Sequence, residues 1–216
     1  TQLLYNCLEN AMEYRLFVRQ AIKQKEMPEI LEYLPVVESN YKTNAKSKSN
    51  AIGMWQFMAN SVYPFLTLND YVDQRLDPWA STEAALNKLT DNYKHFNDWL
   101  LAIAAYNCGM GAMNRVLRKA EQKDYWYLVD NKLLPKQTAE YVPKLLAIAD
   151  LAINAEYYGI DLPHHNEEFE LKKKEKNGHF DYIEVSKAYS LNALANNLRI
   201  EQKTIKHLNP SYIMGF

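Results

Sequence analysis

The feature of this sequence that most constrains the fold is an uninterrupted apolar stretch at residues 99–106, WLLAIAAY. On a helix, this stretch would leave no face suited to water, so the helix must be buried on every side. Asn97-Asp98 before it and Gly109 and Gly111 after it are residue types that begin and end helices. We therefore expect a mainly α-helical domain whose other helices surround this one.

Apolar residues recur at helical spacing along most of the first 160 residues. Pro35 is expected to kink or tighten the end of its helix, and the polar stretch at 39–50 predicts a loop. Strand patterns are nearly absent before residue 163. The predicted helices are residues 2–26, 29–38, 81–93, 99–106, 111–120 and 137–158, with a further helix start at 54–58.

The sequence changes character after residue 162, where a histidine pair and a run of lysines and glutamates indicate a solvated linker. The elements predicted beyond it are a strand at 180–185, helices at 191–198 and 203–208, and the start of a second strand at 212–216. We therefore divide the chain into a helical domain at 1–163, a linker at 164–179 and a small α+β module at 180–216.

Composition excludes several classes of function. The formal net charge of −1 provides no field that would attract nucleic acid, and no basic tract interleaves with aromatic residues. The histidines are scattered and no Cys/His spacing is typical of a metal site, so we expect neither a metal nor a cofactor. Cys7 and Cys108 fit either one disulfide or two buried thiols.

No apolar run approaches the ~20 residues that span a bilayer. Because the chain begins at Thr1 and not at methionine, we expect that a leader or membrane anchor lies outside the given sequence.

Glu38 is the candidate catalytic residue. It follows Leu31 and Leu34 at helical spacing and so lies on the same apolar face. Apolar shielding disfavours the charged form of a carboxyl and raises its pKa, which suits a group that delivers a proton to a leaving oxygen. The alternative is a solvated acid at a helix end.

Polar side chains follow Glu38 in otherwise apolar surroundings. Each could hydrogen-bond a sugar hydroxyl or acetamido group, or could satisfy a buried backbone group. The 16 tyrosines and 4 tryptophans offer ring faces that suit sugars as well as cores. The polar candidates are Ser47, Gln56, Tyr106, Asn107 and Tyr141.

Four ordered motifs resemble the family 1 lytic transglycosylases, whose SLT catalytic domain is all-helical and similar to goose-type lysozyme. The resemblance covers roughly residues 15–163 and implies that fold. The motifs are Glu38-Ser39, Gly53-Met-Trp-Gln56, Ala105-Tyr-Asn107 and Tyr141-Val-Pro-Lys144.

The resemblance also implies a role for each matching residue. Glu38 would be the only catalytic acid and base. Three departures from the family pattern, at Trp55, Ala59 and Cys108, remove no catalytic group. The implied substrate-binding residues are Ser39 beside the acid, Ser47 at the acetamido group, Gln56 and Met58 in the cleft, Tyr106 and Asn107 around Glu38, and Tyr141 facing the reacting N-acetylmuramic acid.

The activity implied is cleavage of the bond between N-acetylmuramic acid and N-acetylglucosamine in peptidoglycan, without water, to leave a 1,6-anhydro sugar. Glycoside hydrolysis usually needs two carboxylates. The other candidates have other expected roles: Glu140 on a helix surface, Asp73 in a loop and Asp77 as a cap. A lysozyme-like muramidase and a non-catalytic peptidoglycan-binding protein remain as alternatives.

Residues 180–216 are similar to a LysM module, which would bind glycan, although the usual Gly-Asp before the first helix is missing. A spacer element is the alternative. The resemblance implies peptidoglycan glycan strands as the partner, a bacterial periplasm or cell envelope as the location with an outer-membrane anchor as one option, and a monomer.

Overall fold

The structure, a computed structural model, describes residues 2–162, 184–186 and 189–214. Its described part is mainly helical, as predicted, and contains isolated β-bridges in place of strands. The α-helices are α1 Gln2–Asn10, α2 Arg15–Gln24, α3 Leu34–Ser39, α4 Pro78–Phe96, α5 Trp99–Cys108, α6 Met110–Leu117, α7 Tyr125–Asp130, α8 Lys136–Ile153, α9 Leu191–Leu198 and α10 Gln202–Leu208.

The apolar helix α5 lies at the centre of the core and packs against α4, α6 and α8. Residues 102–105 expose no surface at all. Asp98 caps its start by accepting a hydrogen bond from the backbone N–H of Leu101 at 2.8 Å, and Gly109, with φ +86°, ends it. The expectation of a fully buried helix is confirmed.

The helix predicted over residues 2–26 is two helices, separated at residues 11–14. The carbonyl of Ala11 accepts hydrogen bonds from the backbone N–H groups of Tyr14 and Arg15, at 2.9 and 2.7 Å, which closes a tight turn. Helix α2 then begins at Arg15, whose guanidinium reaches Glu32 in a buried ion pair. This tertiary pairing has no signal in local periodicity.

The helix predicted over residues 29–38 is a 3₁₀ helix, Glu29–Tyr33, followed by α3. Pro35 lies in the first turn of α3, where a missing N–H costs no intrahelical hydrogen bond. The proline therefore starts the second helix and does not kink the end of a longer one. Asn40, with φ +56°, ends α3.

The helix start predicted at residues 54–58 is wrong. The segment is a tight loop closed by Ile52 and Phe57, whose backbones exchange hydrogen bonds of 3.0 and 3.1 Å. Gly53 and Gln56 have φ values of +87° and +51°, which no α-helix contains. A Cβ at Gly53 would lie 1.7 Å from the carbonyl oxygen of Arg75, so this position needs glycine for contact as well as for conformation.

The remaining helix predictions of the main domain are confirmed with shifted ends. Asp77 caps α4 by accepting from the backbone of Trp79 and Ala80, at 3.0 and 2.9 Å. The helix predicted at 137–158 ends at Ile153, and Gly159 lies beyond it with φ +62°. Helix α7 was not predicted.

The two short C-terminal helices are confirmed as α9 and α10. Residues 164–179 and 180–183 lie outside the described residues, so the linker and most of the first predicted strand stay predictions. Tyr212 forms an isolated bridge with Val72 of the main domain. Beside it, the carbonyl of Ser211 accepts from the backbone of Asp73 at 2.8 Å.

Both cysteines are free thiols, Cys7 buried and Cys108 half-buried, so the disulfide alternative is wrong. Among the described residues, no helix combines the length and the apolar character needed to cross a membrane.

Candidate active site

A cavity of about 890 Å³ opens between the end of α3, the loop before α4, the junction of α5 with α6, and α8. Of the catalytic and substrate-binding residues that the sequence implied, all but Ser39 line it. These are Glu38, Ser47, Gln56, Met58, Tyr106, Asn107 and Tyr141. Residues that are up to 103 positions apart in the sequence therefore form a single site.

Glu38 lies in the last turn of α3, partly exposed to the cavity. The Tyr141 hydroxyl donates a hydrogen bond to its Oε1 atom. Burial raises the pKa of the Glu38 carboxyl from 4.5 to about 7, although the Tyr141 hydrogen bond and the charges of Lys88 and Lys144 each favour the ionised form. A carboxyl with this pKa can both hold and release a proton near neutral pH.

Glu32, six positions earlier, is the contrasting case. Burial acts on its carboxyl too, but hydrogen bonds and charges from Arg19 and Arg15 outweigh it and hold the pKa of Glu32 below its usual value. The Nε atom of Arg19 lies 2.7 Å from Oε2 of Glu32. Glu38 has no arginine within ion-pair distance among the described residues, so burial decides its pKa. One acid stabilises an ionised pair in the core, and the other remains free to titrate.

Tyr106 connects α5 to the loop that forms one wall. Its hydroxyl donates a hydrogen bond of 2.9 Å to the backbone carbonyl of Trp55, and its ring meets that of Phe57 edge-on. The indole of Trp55 in turn donates to the Thr82 hydroxyl at 2.8 Å. Tyr106 therefore holds this loop in place beside the cavity, and its hydroxyl is already used as a donor.

Ser47, Gln56 and Asn107 each keep polar capacity towards the cavity. The Ser47 hydroxyl accepts from the backbone of Ala51 at 3.0 Å and can still donate its hydrogen. The amide nitrogen of Gln56 donates to the carbonyl of Gly53 at 2.8 Å, which leaves its amide oxygen as an acceptor. Asn107 accepts from the Thr138 hydroxyl at 3.0 Å and retains its NH₂ donors.

Ser39 has a different place. Its hydroxyl donates to the carbonyl of Met54 at 2.8 Å, and it does not line the cavity. The adjacent Glu38 faces the cavity from the last turn of α3, whereas Ser39 connects the end of this helix to the loop that contains Met54. The contact that the structure shows for Ser39 holds the loop, and its role in substrate binding stays a prediction.

Three lysines that were assigned no role from the sequence line the cavity: Lys88, Lys136 and Lys144, the last of them within the Tyr141-Val-Pro-Lys144 motif. Lysine on a helix ordinarily indicates a solvated face, so residue type alone carried no signal. For Lys88 a signal was available, because Ala84 and Ala85 place it on the buried face of α4.

Asp77 and Glu140 lie as expected, at a helix start and on a helix surface, whereas the buried ion pair of Asp73 was not predicted. Asp73 is buried and forms an ion pair with Arg75 at 2.7 Å, and Asp77 caps α4. Glu140 lines the cavity, but its side chain is 67% exposed and lies 3.7 Å from Lys136 on the surface of α8. In the described residues, no group of three His, Cys, Asp or Glu side chains could hold a metal ion.

Comparisons with known proteins agree on one family. Residues 15–129 match the family model of the transglycosylase SLT domain. Over 98% of its length the chain is 32% identical to the membrane-bound lytic murein transglycosylase D of Escherichia coli (strain K12). It spans about half of that relative, since the matched region is 48% of the relative's length.

Two solved structures share the fold. An inactive mutant of the lytic transglycosylase Slt from Pseudomonas aeruginosa matches 73% of this chain and 26% of its own, with a TM-score of 0.55 and 19% identity. The 70 kDa soluble lytic transglycosylase of Escherichia coli matches 63% of this chain and 23% of its own, with a TM-score of 0.53 and 24% identity.

Proposed function

Because the chain belongs to the transglycosylase SLT domain family, we propose that it is a peptidoglycan lytic transglycosylase. It would cleave the β-1,4 bond between N-acetylmuramic acid and N-acetylglucosamine without water and leave 1,6-anhydro-N-acetylmuramic acid ends. The observation that carries the proposal is Glu38, the one carboxylate in the cavity wall whose pKa is raised towards neutrality, to about 7.

The first step uses Glu38 as an acid. Protonated Glu38 gives its proton to the oxygen of the bond, the bond from this oxygen to C1 of the muramic sugar breaks, and N-acetylglucosamine leaves with a hydroxyl. The acetamido carbonyl of the muramic sugar stabilises the positive charge that develops at C1. Ser47 and Asn107 keep hydrogen-bond donors towards the cavity that can hold this acetamido group.

The second step uses the same residue as a base. Ionised Glu38 takes the proton of the C6 hydroxyl, and the C6 oxygen attacks C1 to close the anhydro ring. The proton returns to Glu38, so the catalyst is regenerated without a second carboxylate. Since the nucleophile belongs to the same sugar, the step gains from proximity. The Tyr141 hydrogen bond stabilises the ionised carboxylate between the two steps.

The positions of the other acids support this one-carboxylate route over a muramidase, which usually needs a second acid. Glu140 faces solvent beside Lys136, and Asp73 and Asp77 serve an ion pair and a cap. The test is mass analysis of muropeptides after digestion of purified peptidoglycan. Anhydro ends support the proposal, free reducing muramic acid ends indicate a hydrolase, and glycan binding without products indicates a non-catalytic protein.

We further propose that the chain acts as a monomer on glycan strands in the bacterial periplasm or cell envelope. An outer-membrane anchor is one way in which it could be held there. The name of the Escherichia coli relative, a membrane-bound murein transglycosylase, supports an envelope location. The C-terminal helices α9 and α10 fit a LysM-like glycan-binding module. Sedimentation with insoluble peptidoglycan tests this, because removal of residues 164–216 should then reduce the bound fraction.

A further inference from the structure

Lys88 is a cation on the buried face of α4. It follows Ala84 by four positions and Ala85 by three, and precedes Asn92 by four, and all three are buried. Its side chain lines the cavity that contains Glu38. No hydrogen bond or ion pair holds its ammonium within the described part of the chain. A desolvated charge in this position needs another source of stabilisation.

Two aromatic rings provide part of the stabilisation of the Lys88 ammonium. The Nζ atom of Lys88 lies 4.9 Å from the ring centroid of Tyr106 and 5.4 Å from that of Phe57. Ring faces attract a cation at such distances. Both rings are buried, and Tyr106 is anchored to the carbonyl of Trp55. The rings therefore fix the ammonium in the wall of the cavity.

The charged and titratable groups around Glu38 come from three helices. Tyr141 and Lys144 are on α8, Tyr106 is on α5 and Lys88 is on α4. Burial lowers the pKa of Lys88 and the charge of Glu38 raises it, while burial raises the pKa of Glu38 and the charge of Lys88 lowers it. The two residues thus interact through their charges, although neither forms a contact ion pair with the other.

We propose that Lys88 is a positioning residue for catalysis: its ammonium, held over Tyr106 and Phe57 in the wall shared with Glu38, sets the pH range in which Glu38 exchanges its proton. The kinetic part of this inference rests on the proposed function, but the titration of Glu38 does not. Lys88 favours the ionised carboxylate, which the second step requires, and limits how strongly Glu38 retains its proton.

The direct test is a titration of Glu38 by NMR with ¹³C-labelled glutamate carboxyls, assigned by the Glu38→Gln variant. Lys88→Met keeps a side chain of similar length without charge, and Lys88→Arg keeps the charge. The Glu38 midpoint should move to higher pH in Lys88→Met and stay near the wild-type value in Lys88→Arg. Since no turnover is needed, failure of the proposed activity leaves this test intact.

The kinetic test is the pH profile of kcat/KM for release of anhydro products. The limb at high pH reports loss of the proton from Glu38, so it should move to higher pH in Lys88→Met, with KM little changed. Lys94→Met, an exposed lysine on the same helix and outside the cavity, should keep the wild-type profile.

An unmoved Glu38 midpoint in Lys88→Met overturns the proposal. An equal shift in Lys88→Arg also overturns it, because shape and not charge would then be responsible. A raised KM with an unmoved limb would make Lys88 a substrate contact and overturns it as well. Circular dichroism checks folding, and Lys88→Gln replaces Lys88→Met if the latter does not fold.

Discussion

The hydroxyl of Tyr141, in α8, donates a hydrogen bond to the carboxylate of Glu38, 103 positions earlier at the end of α3. The donor favours the charged acid, whereas the apolar surroundings favour the neutral acid. Each influence limits the other, and the result is a group with a pKa of about 7. A residue that must first give and then take a proton needs this balance.

Replacement of Glu38 by glutamine should remove glycan cleavage. Glutamine has a similar shape but can neither donate an acidic proton nor accept one, so we expect kcat to fall by at least roughly 10²–10⁴-fold. The release of anhydro muropeptides measures this. Glu140→Gln, in the same cavity wall, is the matched control and should retain most of the activity. A Glu140 variant as inactive as the Glu38 variant would contradict the one-carboxylate mechanism.

The same Glu38→Gln variant should gain stability relative to wild type as pH rises. The carboxyl has a pKa of about 7 when folded against 4.5 as its ordinary value. Below pH 4.5 the carboxyl is protonated in both the folded and the unfolded protein and does not change the free energy of unfolding. Between these values the unfolded chain ionises first, so wild-type stability falls, by up to about 3 kcal/mol above pH 7. Urea unfolding at pH 5 and pH 8 measures the change. A difference between the two proteins that does not grow with pH would refute the raised pKa.

Removal of the Tyr141 hydroxyl should make Glu38 harder to ionise. In Tyr141→Phe the carboxylate loses its donor, so the pKa of Glu38 rises further and the high-pH limb of kcat/KM moves to higher pH. The matched variant is Tyr106→Phe, whose lost hydroxyl served the carbonyl of Trp55 and not the acid. If the high-pH limb moves only in Tyr106→Phe, then Tyr106 and not Tyr141 acts on the pKa of Glu38, and the prediction is wrong.

Gly53 should tolerate no side chain. In Gly53→Ala the new Cβ would lie 1.7 Å from the carbonyl oxygen of Arg75 and the backbone would have to shift. Gly109→Ala is the matched control, because its φ of +86° is nearly the same but nothing lies within 4 Å. We expect roughly 1–3 kcal/mol of destabilisation for Gly109→Ala from backbone strain and more for Gly53→Ala. Thermal unfolding compares them, and equal losses would mean that the contact with Arg75 is unimportant.

Alanine substitutions at Ser39 and Ser47 should have different effects, the first on stability and the second on substrate binding. Ser39→Ala loses the hydrogen bond to the carbonyl of Met54 and should cost about 1 kcal/mol in unfolding free energy. Ser47→Ala should mainly raise KM, because its hydroxyl faces the cavity. Chemical unfolding and initial rates on glycan fragments distinguish the two effects. A normal KM in Ser47→Ala would remove this residue from substrate binding.

The sequence predicted the buried helix α5 from an uninterrupted apolar run with helix-starting and helix-ending residues beside it, and the acid on an apolar face from helical spacing. It failed at residues 54–58, where a short apolar run fits a buried loop as well as a helix. The loop depends on contacts of Gly53 and Phe57 with Arg75, about 20 positions away, which no local pattern contains.

Lys88 was overlooked for a related reason. Its importance comes from Tyr106 and Phe57, which are distant in sequence and surround its ammonium only after α4 and α5 have packed. Helix α2 likewise begins at Arg15, which pairs with Glu32, a contact that no local pattern contains. Local patterns therefore locate the elements and the ends that have caps, whereas contacts between residues distant in sequence have no local signal.

The pairing of the C-terminal segment with residues 71–73 has a mechanical consequence. The carbonyl of Ser211 accepts from the backbone N–H of Asp73, and the Asp73 carboxylate holds Arg75. The carbonyl of Arg75 lies against Gly53, in the loop that presents Gln56 to the cavity. A displacement of the C-terminal segment would therefore be transmitted to the loop that carries Gln56 through Asp73 and Arg75, which are both buried. A force applied at Ser211 would therefore be transmitted to the backbone at Gly53.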